Sequence, residues 1–334
     1  MTGGIPGEEV GGTGVGKAGG HESGRWTGSG PGGSGGPGAS GGFDEDELAR
    51  AFEAERPYLL KVAYVTTGSA SEAEDCVQEA WLRLRRLDDP AEVRDLRAWL
   101  TTAVGRLALD ALRSARARRE RYVGTWLPEP LVEPAAATDP AERVTLDESV
   151  SMALLVVLES LSPAQRTAFL LHDVFGMSFG EVAEVVGRTP SAVRQLASRA
   201  RREVEDARPR FPPTADEQRR LVAAFADACQ GGDLAALVAM LDPDAVCRGD
   251  GGGKVSAQRV VVRGGERIAR LLLAYSAPAP MDIRMVTVNG TAGLVLREPD
   301  GTLSVIALTV DRQRITAVDV MRNPDKLTTL RGWI

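Results

Sequence analysis

Residues 178–205, SFGEVAEVVGRTPSAVRQLASRARREVE, read as two short helices joined by a tight turn. Ser178 is placed to cap the first helix, and Glu181, three residues on, completes a capping box. Val182, Ala183, Val185 and Val186 recur at helical spacing and point inward. Gly187 then stops the helix, because glycine enters the left-handed region without a Cβ clash. Thr189 caps the second helix with Pro190 in its first turn. Val193, Leu196, Ala197, Ala200 and Val204 form the buried stripe of that helix. Its other face carries Ser191, Arg194, Gln195, Ser198, Arg199 and Arg202. Side chains of these types hydrogen-bond base edges and phosphates in a major groove. An ordinary helical hairpin with a solvated basic face is the plainer alternative, and the cap-turn-cap grammar favours DNA recognition.

The charge distribution agrees. The chain of 334 residues has a formal net charge of −6, which argues against unaided gripping of DNA. Two segments nevertheless run against the mean. Residues 106–121 hold six arginines against Asp110 and Glu120, and residues 188–204 hold five against Glu203. Basic helices in an acidic chain point to DNA contact that depends on a larger partner. Cys76, Cys229 and Cys247 are widely spaced and form no metal-binding pattern, so buried free thiols are expected and neither metal nor cofactor is. No apolar run reaches the roughly 20 residues of a membrane helix, and the Gly-rich beginning lacks the apolar core of a signal peptide. A cytoplasmic protein without membrane contact is expected.

Composition divides the chain. Residues 1–42 are Gly-rich with Ser, Pro and Thr, and read as a disordered tail. Residues 43–122 read as a helical domain, with a capping box at Ser71 and Glu74 opening a helix to about Arg86 and a second long helix over about 96–121. Residues 123–148, with Pro128, Pro130, Pro134 and Pro140, read as an extended linker. Helices return over 149–207. From 215 the pattern becomes α+β: helices near 215–230 and 233–241, a Gly-rich loop at 250–254, a strand ending at Val262 and a helix at 265–275. A meander follows over 281–288, 291–297, 302–310 and 314–321, with turns at Asn289-Gly290 and Pro299-Asp300-Gly301. The expected architecture is two all-α domains, the second bearing the helix-turn-helix, followed by an α+β domain whose helices cover a curved sheet.

On the helix of 71–86 the outward face places Asp75, Gln78 and Glu79 around Leu82, a pattern suited to a protein interface. Together the stretches carry a family resemblance. SEAEDCVQEAWLRLRR (71–86) resembles region two of the sigma-70 family, whose acidic helix docks on RNA polymerase. RAWLTTAVGRLALDALRSARARRE (97–120) resembles the helices that melt and read the minus-ten promoter element. Residues 161–204 resemble region four, which reads the minus-thirty-five element. The short linker is similar to that of the extracytoplasmic-function subfamily. The resemblance covers about 45–206. It implies a transcription initiation factor whose partners are core RNA polymerase and promoter DNA. Asp75, Gln78, Glu79 and Leu82 would dock on polymerase. Arg106, Asp110, Arg113, Arg116, Arg118 and Arg119 would meet the minus-ten strand, and the exposed face of 191–202 the minus-thirty-five element. Gly105-Arg106 stands where many relatives have Arg-Asn, so detailed minus-ten preferences do not transfer.

The remainder resembles a narrower group with a fused C-terminal SnoaL-like, NTF2-like cone domain. Trp126-Leu127-Pro128-Glu129-Pro130, Asp250-Gly251-Gly252-Gly253-Lys254 and Asn323-Pro324-Asp325-Lys326-Leu327 look like the three marks of that group. The resemblance implies that the fused domain regulates the sigma module through these segments, packed with the linker between them and 250–254 and 323–327 at the rim. The loop 250–254 also has the look of a phosphate cradle, although the Walker spacing is missing. Plain surface charge is the blander reading of Lys326 and Arg322, and the Asn-Pro-Asp-Lys-Leu run favours a docking role. Two rivals stand beside the sigma reading. One is an enzyme or ligand sensor using the cone, although no catalytic residue is assigned and the acids Asp242, Asp244, Asp250, Asp282 and Asp319 are explained by turns, loops or strand edges. A small-molecule ligand of the cone stays open. The other rival is a repressor that binds DNA without polymerase.

Overall fold

The computed structural model describes residues 45–89, 93–119, 122–135, 150–276 and 281–330, with the side chains of 117–119 and 276 excepted. The Gly-rich tail and the linker beyond 135 lie outside the described residues.

Three helices open the described chain: α1 (Glu45–Thr67), α2 (Ala70–Arg85) and α3 (Leu96–Arg119). Leu59, Val62, Val77, Ala80, Leu84, Leu100 and Val104 are buried at their centre. Each large aliphatic residue buried there contributes about 1.5–3 kcal/mol relative to exposure. The capping box expected at Ser71 and Glu74 does not open this helix: α2 begins at Ala70, and Ser69 is the N-cap, its side chain accepting from the Glu72 amide. The earlier start is held by a carboxylate from the linker, described below.

The chain then runs extended through β1 (Val132–Pro134) and returns to helix in α4 (Met152–Leu158), α5 (Pro163–Phe169), a π turn (Leu170–Val174), α6 (Phe179–Val186) and α7 (Pro190–Ala207). The local signals read at 178–205 all appear. Ser178 and Glu181 make a reciprocal capping box, Gly187 is left-handed at φ 70°, and Thr189 caps α7 with Pro190 in its first turn. Leu196 is only half-buried, however.

The last part comprises α8 (Ala215–Gly231), α9 (Leu234–Met240), β2 (Leu241–Asp250), β3 (Val262–Arg263), α10 (Gly265–Ser276), β4 (Asp282–Val288), β5 (Thr291–Arg297), β6 (Leu303–Asp311) and β7 (Arg314–Met321). The described strands form one sheet in the order β1-β4-β5-β6-β7-β2-β3, antiparallel except where β2 lies parallel to β7. The meander falls where its alternation placed it. The Asn289-Gly290 turn has φ 48° and 76°, as a type I′ hairpin requires. β2 was not expected, because Pro243 and two aspartates interrupt its pattern, and the strand expected up to Val262 shrinks to two residues.

Both faces of this sheet are covered. Leu294, Leu296, Ile306, Leu308 and Val318 face α8, α9 and α10. Val286, Val288, Val295, Val305, Ala307 and Met321 face the other way, onto Leu127 of the linker, Met152 and Val156 of α4, and Leu327 and Leu330. The period-two alternation thus serves two cores. The helices α1–α7, in turn, share one continuous core rather than two.

Candidate functional site

On α7, Arg194, Gln195, Ser191, Arg199 and Arg202 are exposed and Ser198 is half-buried, while Val193, Ala197, Ala200 and Val204 are buried. All six expected base- and phosphate-reading residues therefore share one accessible face. Arg194 lies over the Phe179 ring at 5.0 Å, which restrains its guanidinium beside the turn.

The basic helix α3 is less free. Arg106 donates to the Glu184 carbonyl of α6 at 3.3–3.4 Å, and Arg116 donates to the Leu161 carbonyl. Arg113 pairs with Asp110 one turn away. The side chains of Arg118 and Arg119 lie outside the described residues. Gly105 explains the closeness of α3 and α6. A Cβ there would stand 3.2 Å from Leu171 Cδ1 and 3.3 Å from Val185 Cγ1. Glycine at this position lets α3 seat directly against the helix-turn-helix.

A second bridge is Arg166 of α5, which is 1% exposed. Its Nη2 and Nε donate to the Val65 carbonyl in the last turn of α1, at 2.9 and 3.3 Å, and Nη1 pairs with Glu159. A buried guanidinium needs such pairing, because leaving it alone costs several kcal/mol.

On α2, Asp75 and Gln78 are exposed, while Glu79 and Leu82 are partly exposed, with Glu79 paired to Arg83 at 3.0 Å. The four lie on the face opposite the buried Ala73, Cys76, Val77, Ala80 and Leu84.

The three motif segments converge on one polar cluster. Asp250 at the end of β2 is wholly buried, at the centre of the contact and not at a rim. It accepts from the Tyr122 hydroxyl, from the Leu127 amide at 2.9 Å, from the Gly252 amide at 3.0 Å and from Lys326 Nζ at 2.7 Å. Lys326 also donates to the Leu127 carbonyl and lies 3.9 Å from the centre of the Trp126 ring. Arg322, next to this run, is 8% exposed, so neither cation is a plain surface charge. Asn323 donates to Tyr122 at 2.9 Å, and a Cβ on Gly252 would stand 2.5 Å from the Asn323 side chain. Burial, reinforced by the Asp250 hydrogen bond, pushes the Tyr122 phenol above its ordinary range. At the edge, Lys254 pairs with Asp325 at 2.6 Å. The loop lysine is thereby committed to a carboxylate of the same domain, which counts against a phosphate cradle; the contacts to the linker are made by Asp250, Asn323 and Lys326. Pro324 opens the short 3-10 turn carrying Asp325 and Lys326, and Leu327 is buried behind it.

Further along the linker, Glu129 reaches the start of α2, accepting from Ser69 Oγ at 3.1 Å and the Ala70 amide at 2.9 Å. A carboxylate at a helix N-terminus meets unsatisfied amides and the positive end of the dipole. Pro128 and Pro130 flank it, both buried. The Glu129 carbonyl accepts from Tyr64 of α1, whose oxygen accepts in turn from Asn289 of the β4–β5 turn, each at 2.7 Å. Asn289 also exchanges hydrogen bonds with the Leu131 backbone, and β1 pairs with β4. The linker is thus an edge strand of the cone sheet and a cap on the first helical module. Tyr64, Tyr122, Arg166 and Asn289 escaped the sequence reading. Only Asn289 carried a signal, and that signal was for a turn.

Inside the cone a cavity of about 80 Å³ is lined by Cys229, Cys247, Leu272, Ile283, Leu294, Ile306 and Val320, with Ser304, Glu298 and Arg322 as polar members. Asp319 is buried, and desolvation raises its pKa above the ordinary carboxylate range. It pairs with Arg248 at 2.6 Å and lies outside that cavity.

Residues 51–118 match the model of Sigma-70 region 2, and residues 151–204 that of Sigma-70, region 4. The ECF RNA polymerase sigma factor SigJ of Mycobacterium tuberculosis is 44% identical over 295 residues, which cover 83% of this chain and 92% of the relative. SigI of the same organism is 36% identical over 86% of this chain and 97% of its own length. The crystal structure of M. tuberculosis SigJ aligns with a TM-score of 0.67 at 38% identity, over 84% of this chain and 98% of that one. The chain belongs to the extracytoplasmic-function family of RNA polymerase sigma factors.

Proposed function

We propose that this sigma factor binds core RNA polymerase and directs it to promoters from a closed resting arrangement, which the fused cone domain and linker hold shut. The carrying observation is the single core shared by α1–α7, with Gly105 against Leu171 and Val185 and Arg166 bonded into α1. The two promoter elements lie about 25 base pairs apart, or about 85 Å at 3.4 Å per base pair. Helices packed side by side are separated by about 8–10 Å. One factor reads both elements only after α3 and α6 part.

In this reading Asp75, Gln78, Glu79 and Leu82 dock on polymerase. Ser191, Arg194, Gln195, Ser198, Arg199 and Arg202 read the minus-thirty-five element. Arg106, Asp110, Arg113, Arg116, Arg118 and Arg119 engage the melted minus-ten strand once α3 is released. The Trp126–Pro130, Asp250–Lys254 and Asn323–Leu327 segments form the clamp, and its strength sets the population of the open form. The factor works in the cytoplasm, where polymerase and promoter lie, and itself makes and breaks no covalent bond. The pairing of Asp319 with Arg248 supports that last point, since it gives the buried acid a structural partner away from the cavity.

The test is run-off transcription with purified core polymerase, comparing full-length chain, a chain ending at Arg322, and one lacking the cone domain. Removing Asn323 onward deletes the clamp contacts of Asn323 and Lys326 and should raise initiation while leaving the helices folded. Equal activity from all three proteins would contradict regulation by the fused domain.

A further inference from the structure

Among the exposed arginines of α7, Arg194 stands apart. Arg202 donates through Nε to the Ser198 carbonyl, whereas the Arg194 guanidinium makes no hydrogen bond or ion pair among the described residues. What it meets is the Phe179 ring, with Cζ 5.0 Å from the ring centre. A π face attracts the charge of the guanidinium without supplying a carboxylate or carbonyl, so the N–H donors stay available to a ligand.

The ring that holds Arg194 is itself held. Phe179 opens α6 directly after the Ser178 cap and is half-buried. The His172 imidazole stacks on it at 3.8 Å, with 26° between the planes. His172 in turn donates from Nδ1 to the Met177 carbonyl at 2.8 Å. It lies at the middle of the π turn Leu170–Val174, where the Phe175 amide bonds the Leu170 carbonyl at 3.0 Å. Such turns are rare and occur mostly at functional sites. A rigid series thus runs from the π turn through His172 and Phe179 to a guanidinium at the protein surface.

The geometry of that guanidinium selects its ligand. Arg194 lies near the N-terminal end of α7, the end that a helix-turn-helix presents to base edges. Its fork of parallel N–H donors matches two acceptors side by side. In the major groove guanine alone shows that pair, O6 and N7. Adenine sets N7 beside an amino donor, and cytosine and thymine each offer a single polar group. An arginine already held over a ring also loses less rotamer freedom on docking than one free in solvent. We propose that Phe179 is a positioning residue for promoter selectivity: braced by His172, it holds the Arg194 guanidinium ready for O6 and N7 of one guanine in the minus-thirty-five element. The proposal rests on the minus-thirty-five reading above and adds to it the base recognised and a residue that acts through Arg194.

The experiment is run-off transcription by the full chain with core polymerase on a promoter pool randomised across the minus-thirty-five element, with the templates used identified by sequencing. Arg194→Ala marks the position by the guanine preference it loses. Phe179→Leu keeps apolar bulk but has no π face. It should lower guanine preference at that same position about fivefold, equivalent to one cation–π contact of about 1 kcal/mol, and leave preferences at other positions as they were. Phe179→Tyr keeps the face and should keep the preference. Adding Phe179→Leu to Arg194→Ala should remove nothing further. Each preference is a ratio among templates read by one protein, so a partial loss of folding cancels. Guanine preference lost in Arg194→Ala but kept in Phe179→Leu would overturn the positioning role alone, as would an equal loss in the Tyr and Leu variants. A uniform fall across all promoters in Arg194→Ala, the signature of a phosphate contact, would overturn the proposal together with the base-reading role of Arg194. Loss of preference for a base other than guanine would overturn the assignment of the ligand.

Discussion

Asp250 shows how much one side chain carries. Its two oxygens satisfy a tyrosine hydroxyl, two backbone amides and a lysine, all but the Gly252 amide drawn from segments far apart in the chain. Asp250→Ala leaves Lys326 buried without its counter-charge, and breaking a buried pair from one side costs about 3–5 kcal/mol. Chemical denaturation of the cone-and-linker unit should show a loss of that size. A smaller loss is expected when Lys326→Met is combined with it, since the double variant removes both charges; the non-additivity measures the coupling. At the other end of the molecule, Arg194 and Gln195 stand exposed opposite the buried Val193 and Ala197. Replacing either by Ala should cost about 1–3 kcal/mol at a base it contacts and relax promoter choice there, with polymerase binding unaltered. Sequencing of the promoters used would reveal the change. Residues such as these two were legible because helical spacing places them. Asp250 was legible only as one mark among three, since its partners come from positions 122, 127 and 326 and spacing along the chain holds no trace of them.

Among elements, the helices were the readable part and the sheet's edges were not. Caps act within four residues, so Ser178, Glu181, Gly187 and Thr189 announce α6 and α7 locally. The exception is instructive: α2 starts at Ser69 and not at Ser71, because Glu129 from the linker joins its N-terminus, a partner 60 residues away. β2 is likewise made by its neighbours, pairing with β7 and β3 across long separations despite Pro243. Two outcomes belong to this scale. Glu79→Arg or Leu82→Asp on α2 should weaken core polymerase binding about tenfold or more while circular dichroism stays unchanged, since a central anchor of an interface is worth about 2 kcal/mol or more and an unfavourable charge placed across it costs several. Gly105→Gln should act between elements. Its side chain would collide with Leu171 and Val185, wedge α3 from α6 and raise initiation from limiting factor. Small-angle scattering should show a larger radius of gyration for this variant in the free state.

For the molecule as a whole, the arrangement reconciles an acidic protein with two basic DNA-reading helices. Arg106 and Arg116 are tied to carbonyls of the second helical module, and the linker is both an edge strand of the cone and a cap on α2. In the proposed mechanism polymerase docking provides the free energy that separates the modules, so promoter contact is expected only after docking. The most direct measurement is the distance between labels at Glu53→Cys on α1 and Glu205→Cys on α7, taken by double electron–electron resonance. The native thiols of Cys76, Cys229 and Cys247 are buried, and desolvation pushes each up to about 12, so they stay out of the labelling reaction. In the free factor a single narrow distance below about 45 Å is expected, the span of one compact core. With core polymerase and promoter DNA bound, that population should give way to one near 85 Å, about 25 base pairs at 3.4 Å each. An unchanged short distance in a transcriptionally active complex would contradict the opening.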